Sequence, residues 1–166
     1  MTGVSGNMGA EALRQTLALD NVAWVRVLLT PRKRNAALAK KLKKQYGARI
    51  DIVNGDIADA QTCARLVKDA DYVVNMAAVI PPRSDADPAA SERCNFAGTA
   101  ALADAVRAMP VQAKFVHVSS IALYGCRNEK HPFCRVGDPL VISPFDLYSL
   151  HKLRAERKSD RSHVVL

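Results

Sequence analysis

Four short apolar runs rich in β-branched residues recur along the chain: AWVRVLL (23–29), ARIDIV (48–53), DYVVNMA (71–77) and KFVHVSS (114–120). A run that is apolar at consecutive rather than alternate positions is buried on both faces, and this requires helices above and below a parallel sheet. Helical patterns at 7–19, 34–46, 58–69, 88–109 and 144–160 supply those layers, and SHVVL at the C-terminus reads as a last strand. Alternation of this kind, closed by right-handed crossovers, specifies an α/β fold with a doubly wound parallel sheet. The chain shows no repeat, low-complexity tract or linker, and its 166 residues, 49% apolar, suffice for one core. Residues 1–166 are therefore read as a single domain.

The opening, MTGVSGNMG, spaces Gly3, Gly6 and Gly9 as GxxGxxG. Glycine at such positions permits a tight turn, close backbone approach to a pyrophosphate and close packing of the following helix. Such a turn normally joins a buried strand to a helix N-terminus, and only Met1 and Thr2 precede it. In the doubly wound order the first strand is central, so the expectation is a sheet lacking its middle rung. A chain that also stops at an apolar strand reads as a fragment of a longer protein, without the C-terminal part that would hold substrate.

The net charge of +8 is concentrated in PRKRNAALAKKLKK (31–44). There Ala37, Leu38 and Leu42 form an apolar stripe, so the lysines read as the solvated face of a helix. Few aromatic residues are interleaved for base stacking, which argues against a nucleic-acid partner. No apolar run is long enough to span a bilayer and the N-terminus lacks a secretory pattern, so the expected setting is cytoplasmic, without a membrane partner. Cys63, Cys94, Cys126 and Cys134 are irregularly spaced and read as reduced thiols. Cys126, His131 and Cys134 share one loop, but without paired spacing or a fourth donor no metal site is expected.

YSLHK places Tyr148 and Lys152 four residues apart, on one face of a helix. Ser143 fits its N-cap, Pro144 its first turn and Asp146 a capping box. A phenol that exchanges protons near neutrality needs its pKa lowered by about 3 units, and a neighbouring ammonium stabilises the phenolate.

Taken in order along nearly the whole chain, these segments resemble the extended short-chain dehydrogenase/reductase family, which contains NAD-dependent epimerases and dehydratases. TGVSGNMG is similar to its glycine turn, NGDIAD (54–59) to its adenine-bordering segment and VVNMAAV (73–79) to its fourth-strand signature. NFAGTAAL (95–102), HVSSIALYG (117–125) and YSLHK followed by Glu156 resemble its N-x-x-GT helix, serine strand and catalytic helix. The resemblance implies a Rossmann domain that binds NAD(P) through Gly3, Gly6, Asn7, Met8 and Gly9. It implies that Asp56 and Ile57 flank the adenine and that Ala77 and Ala78 pass beneath the cofactor. Tyr148 is then the general acid/base, Lys152 lowers its pKa and binds the nicotinamide ribose, and Ser120 hydrogen-bonds the reacting oxygen, with Ser119 as the adjacent alternative. Asn95 is expected to be structural, and His151 to be a variant of little chemical consequence.

After the strand at 23–29 the sequence runs LLTPRKRN, with no carboxylate to meet a ribose 2′-hydroxyl. Arg32, Lys33 and Arg34 suit a 2′-phosphate instead, so NADP is the expected cofactor, with NAD as the alternative. The implied activity is that of an NAD(P)-dependent oxidoreductase, epimerase or dehydratase, transferring hydride at a carbinol or carbonyl carbon of a small-molecule substrate. SSIALYG leans toward a nucleotide sugar. A carbonyl or hydroxysteroid-type reductase and a nonenzymatic dinucleotide sensor are the alternatives. A homodimeric full-length protein is expected, and the fragment alone is expected to be inactive.

Overall fold

The computed structural model describes residues 1–125, 129 and 132–159. The SHVVL strand and two residues of the loop weighed for metal, Cys126 and His131, lie outside the described residues. The four expected strands are present as β1 (Val25–Leu29), β2 (Ile50–Asn54), β3 (Tyr72–Asn75) and β4 (Lys114–His117). Between and after them lie α1 (Asn7–Leu17), α2 (Lys33–Tyr46), α3 (Ala60–Val67), α4 (Arg83–Ala86), α5 (Pro88–Ser91), α6 (Thr99–Arg107) and α7 (Leu147–Ser159).

β1 runs parallel to β2 with Val27 opposite Ile52, and β3 parallel to β4 with Val73 opposite Phe115. The expected single sheet is thus hydrogen-bonded as two parallel pairs. The central rung is not wholly lacking, because Met1 and Thr2 stand in it. The Met1 amine donates to the Arg26 carbonyl at 2.7 Å, and the Leu28 N–H donates to the Met1 carbonyl at 3.1 Å. This is the bond pattern of a parallel ladder with Met1 opposite Val27. On the other side the Thr2 N–H donates to the Val74 carbonyl at 2.9 Å. The spatial order is therefore β2, β1, Met1–Thr2, β3, β4, as a doubly wound sheet requires.

Burial on both faces holds for β1, whereas β2 is largely half-buried and β3 and β4 bury alternate residues. Val27 and Leu29 join Val4, Leu13, Leu17 and Ile50 in one apolar cluster, whereas Leu28 between them joins Ile57, Leu66, Val73, Leu102 and Phe115 in another. The lysines of the basic stretch 31–44 form a solvated face, with Lys40, Lys41, Lys43 and Lys44 exposed on α2, but the apolar stripe is Leu38, Ala39 and Leu42, because Ala37 is exposed.

Two helices differ from the sequence expectation. The stretch 88–109 is not continuous, because a π-helical segment, Glu92–Gly98, separates α5 from α6. Gly98 packs there against Ile57 so closely that an added Cβ would lie 2.4 Å from the Ile57 Cγ2. The helix that carries YSLHK starts at Leu147 rather than near Ser143. Asp146 caps it, accepting from the Ser149 N–H at 3.0 Å and from the Ser149 hydroxyl, while Ser143 accepts from Phe145 in a preceding turn. A carboxylate aimed at the helix N-terminus is a stronger acceptor than a hydroxyl, and it sets the boundary.

Candidate dinucleotide site

The glycine turn and the segments after β1, β2, β3 and β4 each follow the carboxyl end of a strand or its remnant, and parallel strands bring those ends to one edge. The glycine turn follows Met1–Thr2. It is held from below by Thr2, whose buried hydroxyl donates to the Asn75 Oδ1 at 2.6 Å and accepts from the N–H groups of Met76 and Ala77. Asn75 in turn donates to the Thr99 hydroxyl at 3.0 Å and lies 3.3 Å from the His117 Nδ1. Thr2, Asn75, Thr99 and His117 are all fully buried, so this polar network fixes the turn to β3, α6 and β4 at once. Burial and the charge of Lys152 push the His117 pKa down to about 3, which keeps the ring neutral near pH 7.

The three glycines have distinct roles. Gly3 has φ +75°, and a Cβ there would lie 2.7 Å from the Met76 backbone. At Gly9 a Cβ would fall 2.2 Å from the Gly3 carbonyl oxygen, so α1 can sit against the turn only without a side chain. Gly6 differs, since a Cβ would meet only that oxygen, at an ordinary 3.5 Å. Its open side faces away from the protein. Gly6 is also the N-cap of α1, with no side chain capping the helix and no acid in its first turn. The leading N–H groups, including those of Asn7 and the exposed Met8, are thus presented to whatever anion approaches. An open glycine cradle beside an uncapped helix start fits a dinucleotide pyrophosphate.

Arg32 and Arg34 follow the carboxyl end of β1, the strand that Met1 pairs with opposite Val27. Both are exposed, and α2 has no acid in its first turn. Asn35, buried beneath them, donates to the Thr30 carbonyl at 2.8 Å and fixes the reversal. After β2, the Asp56 carboxylate accepts from the Ala58 N–H at 2.9 Å and from Arg93 at 2.8 Å. Ile57 is only 5% exposed and its side chain enters the core against Gly98. Ala77 is half-buried and Ala78 exposed, both directly after β3.

At the other end of the edge, Lys152 is buried at 3% exposure and its Nζ donates to the Val118 carbonyl at 2.6 Å. Burial lowers its pKa to about 8, against the opposing pull of Cys94 and Glu156. Tyr148, half-buried, is one helical turn earlier on the same face. The adjacent serines diverge. Ser119 donates to Glu156 at 3.1 Å, while the Ser120 hydroxyl accepts from the Ala122 N–H at 3.2 Å and caps the 3-10 turn Ile121–Tyr124.

Two sets of contacts went unrecognised in the sequence. Asn95 clamps the Val79 backbone through both its N–H and its carbonyl, at 2.8 Å each, and also donates to the Ser91 hydroxyl. The structural reading of Asn95 agrees with this, but His151 has more to do than expected: its Nδ1 lies 3.0 Å from that same hydroxyl, and the residue is buried. Together they tie α7 to the segment after β3. The second set is the Thr2–Asn75–His117 network. Polar residues interrupting apolar strand runs were its only sequence signal.

The sequence matches the profile of the NAD dependent epimerase/dehydratase family over residues 1–162. The chain belongs to that family. Its fold is similar to that of DesIV, a dTDP-glucose 4,6-dehydratase from Streptomyces venezuelae solved with NAD and TYD bound, at 28% identity and a TM-score of 0.80. That match covers 99% of this chain and 52% of DesIV. A UDP-Glc/GlcNAc 4-epimerase from Campylobacter jejuni gives 24% identity, a TM-score of 0.80 and coverage of 99% and 50%. UDP-glucuronic acid 4-epimerase from Bacillus cereus, solved with UDP-glucuronic acid and NAD, gives 21%, 0.74, 99% and 53%. The chain therefore spans about half the length of these family structures. Among the described residues, no helix is long and apolar enough to cross a membrane, and no group of three metal-ligating side chains is present.

Proposed function

We propose that this chain carries the cofactor-binding and proton-transfer half of an NAD(P)-dependent epimerase or dehydratase acting at a carbinol or carbonyl carbon of a nucleotide sugar. The observation that carries the reading is the shared edge. An open glycine cradle and a buried Lys152 lie at the carboxyl ends of the same parallel strands. When bound, the nicotinamide supplies the hydride acceptor and donor. Asn7 and Met8 hold the pyrophosphate by backbone N–H groups, Gly6, whose own N–H donates to the Gly3 carbonyl at 3.0 Å, leaves the space for it open, and Gly3 and Gly9 let the turn close. Asp56 and the Ile57 backbone border the adenine, and Ala77 and Ala78 leave room beneath the dinucleotide. Lys152 holds the nicotinamide ribose and, as a cation, favours the Tyr148 phenolate. Tyr148 takes the proton from the substrate hydroxyl. Ser120 orients the reacting oxygen, and the alternative, Ser119, is less suited because its hydroxyl is already committed to Glu156. The DesIV likeness, at 28% identity, supports a nucleotide-diphosphate sugar as substrate. The test is to give the full-length protein dTDP- and UDP-hexoses and analyse the products by NMR. A keto or epimerised sugar supports the reading, and turnover only of simple ketones with external NADPH would replace it by a carbonyl reductase.

NADP is the proposed cofactor, because Arg32 and Arg34 are exposed shortly after β1 and the first turn of α2 carries no acid. Replacing both by Ala should weaken NADPH binding by about tenfold or more, the worth of a charge-assisted contact, and leave NADH binding within about twofold. Isothermal titration checks this. Equal losses for both cofactors, or none, would make the pair a solvated surface.

A further inference from the structure

We infer that Glu156, held in place by Ser119, is a positioning residue: it supplies the counter-charge for the buried Lys152 ammonium and so sets the pH range over which that cation is present. Glu156 follows Lys152 by four residues and lies on the same face of α7. The two side chains also reach consecutive residues of one segment. The Lys152 Nζ donates to the Val118 carbonyl at 2.6 Å, and the Glu156 carboxylate accepts from the Ser119 hydroxyl at 3.1 Å. The chain leaving β4 thus fixes the two heads next to each other. An ammonium that is only 3% exposed has lost nearly all of its water, and one carbonyl dipole does not replace it. A charged Lys152 therefore requires a negative neighbour.

Among the described residues, Glu156 is the carboxylate left for that task. Of the acids on the elements packed against α7, Asp85 accepts from the Ser84 hydroxyl and Asp87 caps α5. Glu92 is bound to Arg154, and Asp104 to Arg107 and Lys158. Asp56, farther along the edge, is bound to Arg93. Two other titratable groups share the field of Lys152. His117 on β4 is neutral near pH 7, and burial pushes the Cys94 thiol on the π segment up, so neither offers an anion where Lys152 titrates. The phenols of Tyr148 and of Tyr124, on the 3-10 turn, add no charge in their protonated form. Arg83 on α4 and Arg154 on α7 are cations, and His151 is turned to Ser91. Burial drives the Lys152 amine down, and the negative charge of Glu156 works against it, the pull of Cys94 existing only for its thiolate. The consequence for turnover rests on the role proposed above for Lys152: a cation that persists to higher pH favours the Tyr148 phenolate over a wider range.

The test is the titration of Lys152 in the chain itself, followed by NMR of isotope-labelled lysine ε-carbons, with its signal assigned by loss in Lys152→Met. Glu156→Gln keeps the length of the side chain and an acceptor for Ser119 but removes the charge, and Lys152 should then titrate at least about one pH unit lower. Glu156→Asp restores the charge and should recover at least about half of that shift. Ser119→Ala keeps the charge but releases the carboxylate, and should lower the titration by about half as much as Glu156→Gln. An unchanged or raised titration in Glu156→Gln, or in Ser119→Ala should the Gln variant fail to fold, would overturn the assignment. In the full-length protein the alkaline limb of the rate should move down by the same amount. A Lys152 titration that moves while the limb stays in place would support the assignment of Glu156 and overturn instead the role of Lys152 in turnover.

Discussion

Gly9→Ala should lower the melting temperature by roughly 5–10 °C and reduce dinucleotide affinity by at least about a hundredfold. The new Cβ would stand 2.2 Å from the Gly3 oxygen and 2.9 Å from the Val4 nitrogen, both backbone atoms that the Thr2–Asn75 network holds in place. Neither can retreat without opening the turn. Gly6→Ala is the informative contrast, because there the Cβ meets nothing closer than 3.5 Å in the protein. It should leave the melt of the free protein within about 2 °C while weakening the dinucleotide about tenfold or more, since the space that it takes is the ligand's. Thermal melts with and without NADPH separate the two. A Gly6→Ala protein that bound as tightly as the parent would show that the cradle does not receive the pyrophosphate.

Tyr148→Phe in the full-length protein should cut turnover by about a hundredfold or more and leave cofactor affinity within about twofold, because the phenol moves a proton and does not hold the ribose. Lys152→Met should lose both. With the Lys152 pKa at about 8, its charge is present below that pH and lost above it. The rate assigned to a lysine-stabilised phenolate should therefore decline as pH rises through about 8, and in Lys152→Met that alkaline limb should vanish from the residual activity. A Tyr148→Phe protein retaining more than about a tenth of the rate would remove Tyr148 from the chemistry.

The strands were legible because residues such as Val27, Leu28 and Leu29 are buried on alternate faces, and an unbroken β-branched run of that length suits little besides a strand covered on both sides. The glycine turn was legible for a similar reason, as glycine spacing records close approaches that no other residue allows. Helix boundaries were less so. Ser143-Pro144 is a good start signal, but Asp146 is a better acceptor and nearer the packed face, and local pattern does not rank them. The π segment was invisible to a search for 3.6-residue periodicity, although Ser91, Asn95 and Thr99, spaced by four and all buried, mark a polar stripe on one face. His151 looked inconsequential because its partner, Ser91, is 60 residues away in sequence. The same holds for Thr2 and Asn75, separated by 73. Long-range polar pairs of this kind are set by tertiary packing and leave no local trace. The two-residue rung was beyond the sequence as well, since a strand this short carries no periodicity.

A dinucleotide should lie across the edge where the glycine turn, the segment after β3 and α7 meet. The most direct test is a crystal structure of this chain with NADPH. The pyrophosphate should lie against Gly6 and within hydrogen-bond distance of the Asn7 and Met8 N–H groups, with the nicotinamide ribose at the Lys152 amine and the 2′-phosphate at Arg32 or Arg34. Density for the dinucleotide elsewhere, or a pyrophosphate away from the turn with Lys152 still bound to the Val118 carbonyl and no ribose beside it, would contradict this placement.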